Sequence, residues 1–163
     1  MRKIKFKVKI KLNELGLNYH NIGEGNFIES KIHEVCSMDL YFPSLIIRYK
    51  SGKSVITIFK EHCETCELMQ FSGLKDKNGE EIYEGDIIQL KNVIGETVLV
   101  VCEFGTVQRE IKGVSINLCD ITGFFFRFNG KATFPIVNNY LGKHDLELFE
   151  VIGNIHSNPE LLK

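Results

Sequence analysis

Residues 3–12 alternate without a fault. Ile4, Phe6, Val8, Ile10 and Leu12 fall on one parity, and Lys3, Lys5, Lys7, Lys9 and Lys11 on the other. Successive side chains of a strand point to opposite faces, so this run sets an apolar row against a core and a lysine row toward water. The chain therefore builds at least one sheet with a wet side. The lysine row has three readings: a solvated face that resists aggregation, a ribbon that contacts phosphates, or a surface for a partner protein.

Charge separates these readings in part. The formal net charge is −1, from 20 basic and 21 acidic residues, but residues 1–11 hold six bases and no acid. The remainder is clearly acidic. A nucleic-acid binder concentrates basic charge over a broad patch, and one basic strand on an acidic body is not that footprint.

The rest of the chain also favours strands. Ala132 is the lone alanine, whereas Val, Ile, Thr, Phe and Tyr are abundant. LIIRY and SVITIF flank Lys50-Ser51-Gly52-Lys53 and read as a hairpin. Asn13–Gly25 reads as a loop, and Phe27–Phe42 fits neither period. Asp76-Lys77-Asn78-Gly79 and Tyr83-Glu84-Gly85-Asp86 are turns. DIIQL is a strand, and TVLVVCEF reads as a strand buried on both faces. Glu110–Leu118 is a further strand candidate. FFFRF and KATF flank Asn129-Gly130, a tight-hairpin pair. Leu146–Ile155 gives a last strand broken by Gly153. Ser157 or Asn158 is positioned to cap a short terminal helix that opens on Pro159.

At 163 residues, with 44% hydrophobic and 25% charged residues, the chain suits one domain or two small ones. A change of texture divides an N-terminal β region, 1–67, from a turn-rich part, 68–163. No run reaches the ~20 apolar residues of a membrane helix, and the basic N-terminus lacks the apolar centre of a signal peptide. A cytoplasmic protein with reduced thiols is expected, its five cysteines lacking any regular framework.

The segment LMQFSGLKDKNGEEIYEGDIIQL, Leu68–Leu90, and the ending EVIGNIHSNPELL, Glu150–Leu162, resemble the YopX-like family, small proteins of bacteriophages and prophages of Gram-positive bacteria. The shared elements run from Met69 to Asp86 and from Glu150 to Leu162. The N-terminus departs from the family pattern: members commonly carry an Arg-Ala-Trp-Asp element there, and this chain has no Trp. The resemblance implies an SH3-like β-barrel for the C-terminal part, preceded by an antiparallel β extension, with few short helices. It implies no activity and assigns no catalytic residue. Within the shared segment, Gly79 and Gly85 serve turns, Asp86 bonds the backbone of its own turn, and Ile82, Ile87 and Leu90 supply core. The competing reading makes Tyr83, Glu84 and Asp86 the lining of a ligand loop.

Several constellations bear on chemistry. His33 and Cys36, and Cys63 and Cys66, share metal-knuckle spacing, compatible with a Cys₃His zinc site or with independent core and surface residues. A redox Cys63/Cys66 pair lacks the surrounding sequence such pairs need. Glu80 with Glu81, and Glu61, Glu64 and Glu67, read as solvated acids. His144-Asp145 is a sequence neighbour pair. There is no nucleophile elbow, phosphate loop or dinucleotide fingerprint. Alternation puts Phe124, Phe126 and Phe128 on one face, and Phe125 and Arg127 on the other with Phe125 partly exposed. That second face is open to stacking or protein contact.

The expectation is a non-enzymatic phage or prophage accessory protein, without cofactor, that acts by binding a host or phage protein. The alternatives are a nucleic-acid or nucleotide binder that sequesters a signal, and an enzyme. Exposed strand edges also make a homo-oligomer an option.

Overall fold

The computed structural model describes residues 4–13, 32–41, 44–51, 54–91, 94–110, 118–133 and 147–163. It is mainly β, with eleven strands in two antiparallel sheets among those residues. The chain divides into two compact units, Met1–Phe71 and Ser72–Lys163.

In the first unit, β1 (Phe6–Leu12) lies between β2 (Ile32–Tyr41) and β5 (Cys63–Lys75). β3 (Ser44–Ser51) pairs with β2, and β4 (Ser54–Phe59) pairs with β3 at the sheet edge. The alternation of β1 does what its period dictates: Val8, Ile10 and Leu12 are buried and form a core with Ile58. Val35, Cys63, Cys66 and Leu68 pack around that core. The segment 27–42, ambiguous in sequence, supplies β2 over its described part. β5 is longer than its sequence texture suggests, because it starts at Cys63 and continues beyond Phe71.

The second unit opens on the end of β5, followed by β6 (Glu81–Tyr83), β7 (Asp86–Lys91), β8 (Thr97–Glu110), β9 (Leu118–Phe128), β10 (Lys131–Thr133) and β11 (Glu150–Asn154). Its five-stranded sheet has the order β10-β9-β8-β7-β11. Ile82, Ile88, Val100, Cys102, Phe124, Phe126 and Phe149 form the core. Val98, Val100 and Cys102 share the core side of β8, which leaves Leu99 and Val101 on the other.

Neither sheet closes into a barrel among the described strands. The five-stranded sheet ends at β10 on one side and β11 on the other, and these do not pair. The outer edge of β11 is occupied locally instead: Asp76 accepts the Val151 N–H, and Phe149 O accepts the Lys77 N–H. A carboxylate and a turn thus occupy two backbone groups at the start of this edge.

The C-terminal turn spans Pro159–Leu162 as a single 3₁₀ turn with Pro at its start. The expected side-chain cap is not made. The Asn158 side-chain oxygen faces the Asn154 N–H at 3.4 Å instead, tying the turn back to β11.

Candidate functional site: a groove on the five-stranded sheet

The two family segments meet in the second unit. Asp86 is buried; one carboxylate oxygen accepts the Tyr83 N–H at 2.7 Å, and the other accepts an Asn154 side-chain N–H at 2.9 Å. The Asn154 side-chain oxygen accepts the His156 N–H at 3.0 Å. Gly85 N–H donates to Cys102 O at 2.7 Å, and Gly85 O accepts the Ile155 N–H at 2.9 Å. Gly85 holds φ +81°, and a Cβ there would sit 3.2 Å from the Asn154 amide nitrogen. The Tyr83 ring is buried, and its hydroxyl donates to Glu81 at 2.9 Å. Ser72 adds a buried link, donating to Ile82 O at 2.7 Å.

Asp76 repeats the pattern at the other turn. One of its oxygens accepts the N–H groups of Asn78 and Glu80, at 2.8 and 2.9 Å, and the other accepts that of Val151 at 3.1 Å. Burial acts to raise its pKa. The backbone hydrogen bonds from Val151, Glu80 and Asn78, with the Asn78 side chain, outweigh burial and hold the carboxyl below its ordinary value. The ligand-loop reading of Tyr83, Glu84 and Asp86 thus meets groups that bond one another and their own backbone.

The metal-spacing residues lie apart. His33 is buried on β2 opposite Val8, while Cys66 and Cys63 on β5 stand opposite Ile10 and Leu12. β1 lies between them, so two strand spacings, about 10 Å of backbone, separate His33 from the cysteines. Among the described residues, no three His, Cys, Asp or Glu side chains are grouped to hold a metal ion. The Cys36 side chain and the His144-Asp145 pair lie outside the described residues. The Cys63 thiol donates to Phe59 O at 3.7 Å.

The lysine row belongs to an interior strand. Lys7 stands opposite Glu34, Lys9 opposite Glu67, and Lys11 forms an ion pair with Glu64 at 2.7 Å. Lys5 lies over the Phe71 ring. Acids from both neighbouring strands offset the basic charge, so two of the sequence's acidic residues, Glu64 and Glu67, are partners of the lysines.

Phe125 corrects its expected partial exposure: it is only 3% accessible. The ring reaches Gly105, where a Cβ would meet it at 3.6 Å, and the Arg127 guanidinium lies 5.1 Å from the ring centroid. Arg127 forks onto Glu103 with bonds of 2.7 and 2.8 Å, which raises its pKa further. Phe128, assigned by alternation to the apolar face, is 41% exposed at the strand end.

Beside Arg127 opens a groove of about 500 Å³. Leu99, Val101, Arg127 and Phe128 line it from the sheet, Asn129 from the β9–β10 turn, Glu96 and Thr97 from the start of β8, and Leu161, Leu162 and Lys163 from the C-terminal turn. Leu162 is 46% exposed. The C-terminal turn is positioned by Gly153, where a Cβ would come within 2.8 Å of Leu161. The groove thus depends on bare backbone at Gly153. Sequence reasoning missed it; the apolar Leu161-Leu162 pair behind Asn158-Pro159 was the available signal.

Both ends of the family signature therefore meet in one bonded unit, and a family model described as "YopX protein" matches residues 30–163. The chain belongs to the YopX family. No curated protein matches this YopX-family chain. Among solved structures it resembles protein EF1440 from Enterococcus faecalis, with a TM-score of 0.50 at 20% identity, covering 100% of both chains. That likeness concerns the fold alone. No helix among the described residues is long and apolar enough to cross a membrane.

Proposed function

We propose that this YopX-family chain is a phage or prophage accessory protein that acts in the host cytoplasm by binding another protein, host or viral, through the groove on its five-stranded sheet. The observation that carries this reading is the groove itself. The groove has a mixed lining: exposed Phe128 and Leu162, with Leu99 and Val101, stand among Glu96, Thr97, Asn129 and Lys163, beside an Arg127 whose guanidinium is already oriented by Glu103. Aromatic and Arg side chains are the usual anchors of a protein contact. The resemblance of the two family segments to phage and prophage proteins supports the phage setting of this reading.

The nucleotide or nucleic-acid alternative drew its support from the lysine row. The register with Glu34 and Glu67, and the Lys11–Glu64 ion pair, weaken that support.

The test is a crosslinking pulldown from host cells, using wild type and Phe128→Asp and Leu162→Asp variants. A discrete partner crosslinked to the groove in wild type and lost in both folded variants is the expected outcome. Equal recovery by all three would remove the groove from the interaction. Tight, salt-sensitive binding of DNA, RNA or nucleotides would favour the alternative.

A further inference from the structure

The sequence of β4, Ser54-Val-Ile-Thr-Ile-Phe59, holds no charge, no Pro and no Gly, and is rich in β-branched residues. It is the outermost strand of its sheet, paired with β3 alone among the described strands. The ladder fixes which of its backbone groups remain available. Ser51 pairs with Ser54 across a two-position connection, Tyr49 with Ile56 and Ile47 with Ile58. In a two-residue hairpin the closing pair exchanges both ladder hydrogen bonds, and every second pair does the same. The N–H and C=O groups of Val55 and Thr57 therefore point to the outer edge.

The other sheet edges differ. At β11 the Val151 N–H is taken by Asp76, and Phe149 O, just before the strand, accepts the Lys77 N–H. β6 and β10 are three residues each, and the Tyr83 N–H is held by Asp86. Natural sheets blunt long edges with charge, Pro or short length, and β4 uses none of these.

We propose that β4 is a homodimerisation edge, pairing antiparallel with β4 of a second copy of this chain about a two-fold axis through Ile56. In this register Val55 faces Thr57 of the second copy, and Thr57 faces its Val55. Each of these pairs exchanges two hydrogen bonds, giving four across the interface. Ile56 meets Ile56 as the non-hydrogen-bonded pair. A shift by one residue would turn the inward ladder groups of one copy toward the outward groups of the other, and the bonds would be lost. The inference does not depend on the groove, because it concerns different residues and a different occupant.

The experiment follows the full chain by sedimentation across a dilution series, beside three variants. Wild type is expected to be a dimer that dissociates on dilution. Thr57→Pro deletes an outward N–H, which an edge strand tolerates. Val55→Lys sets a cation into the interface. Each is expected to weaken association by about tenfold or more, with a circular dichroism spectrum like that of wild type. Ile56→Cys tests the register: opposed non-hydrogen-bonded residues lie about 4.5 Å apart at Cα, within disulfide reach. Mild oxidation should yield a covalent dimer beyond the wild-type background, and Asn78→Cys should not. A wild type that stays monomeric at every concentration overturns the proposal. So does a dimer that Thr57→Pro and Val55→Lys leave intact, or one that Ile56→Cys fails to trap.

Discussion

The side chains of Asp86 and Asn154 are hydrogen-bonded at 2.9 Å across 68 positions of chain. Asp86 holds the Tyr83 N–H with its other oxygen, and Asn154 holds the His156 N–H with its own. Each residue thus organises its own turn and joins that turn to the other. This pair joins the two family segments directly.

Asn154→Ala is expected to destabilise the protein by about 1–3 kcal/mol, because it leaves a buried carboxylate oxygen and the His156 N–H without these partners. Asp86→Asn alone should cost a similar amount. The double exchange Asp86→Asn with Asn154→Asp restores a donor against an acceptor, and should cost less than the sum of the singles. Urea unfolding of the four proteins measures the coupling. Additive effects would mean that the bond contributes nothing of its own.

Asp76 should contribute to the acid sensitivity of the second unit. Its folded-state pKa is lowered, so its contribution is present above the ordinary carboxylate range and is lost as pH falls through the lowered folded value. Asp76→Asn is expected to reduce stability at neutral pH by about 1–3 kcal/mol, since an amide oxygen cannot serve all three N–H groups. The difference between wild type and variant should shrink on acidification. Denaturation series at several pH values would show this, and a difference independent of pH would contradict it.

Gly79 and Gly85 separate conformational strain from crowding. Their φ angles are nearly equal, +83° and +81°. A Cβ on Gly79 meets nothing within 4 Å, whereas one on Gly85 meets Asn154 and Ile155 at 3.2 and 3.3 Å. Gly79→Ala should cost about 1–2 kcal/mol for the left-handed backbone alone. Gly85→Ala should cost more, because the Asp86–Asn154 link must also shift. Equal melting points for the two variants would refute this ordering.

The lysine row should behave as one half of a charge ladder. Lys9→Glu places a second acid opposite Glu67 and is expected to cost about 0.2–1 kcal/mol at low salt, less as salt rises. Adding Glu67→Lys should recover most of the loss. Thermal melts at two ionic strengths would measure both, and no recovery in the double variant would mean that the facing pair does not interact.

Much of the local structure was legible in the residues. The β1 alternation, the Asn78-Gly79 and Asn129-Gly130 turns, and the Asp86 bond within its own turn depend on neighbours a few positions away. The limits of that reading show at Phe125. Alternation assigned its face correctly, but not the Gly105 space and Arg127 cover that bury it. The candidate site was less legible still, because the groove draws on three stretches of chain that no spacing rule connects.

The amino-acid sequence by itself determined that this protein is built from strands, where several of them turn, and to which family it belongs, since strand period and turn chemistry are short-range properties. Tertiary structure alone decided that β1 is an interior strand whose lysines face glutamates, that His33 is separated from Cys63 and Cys66, and that Asp76 occupies the edge of β11. Which strands become neighbours is set by burial and backbone pairing summed over a whole sheet, and those partners are distant in sequence.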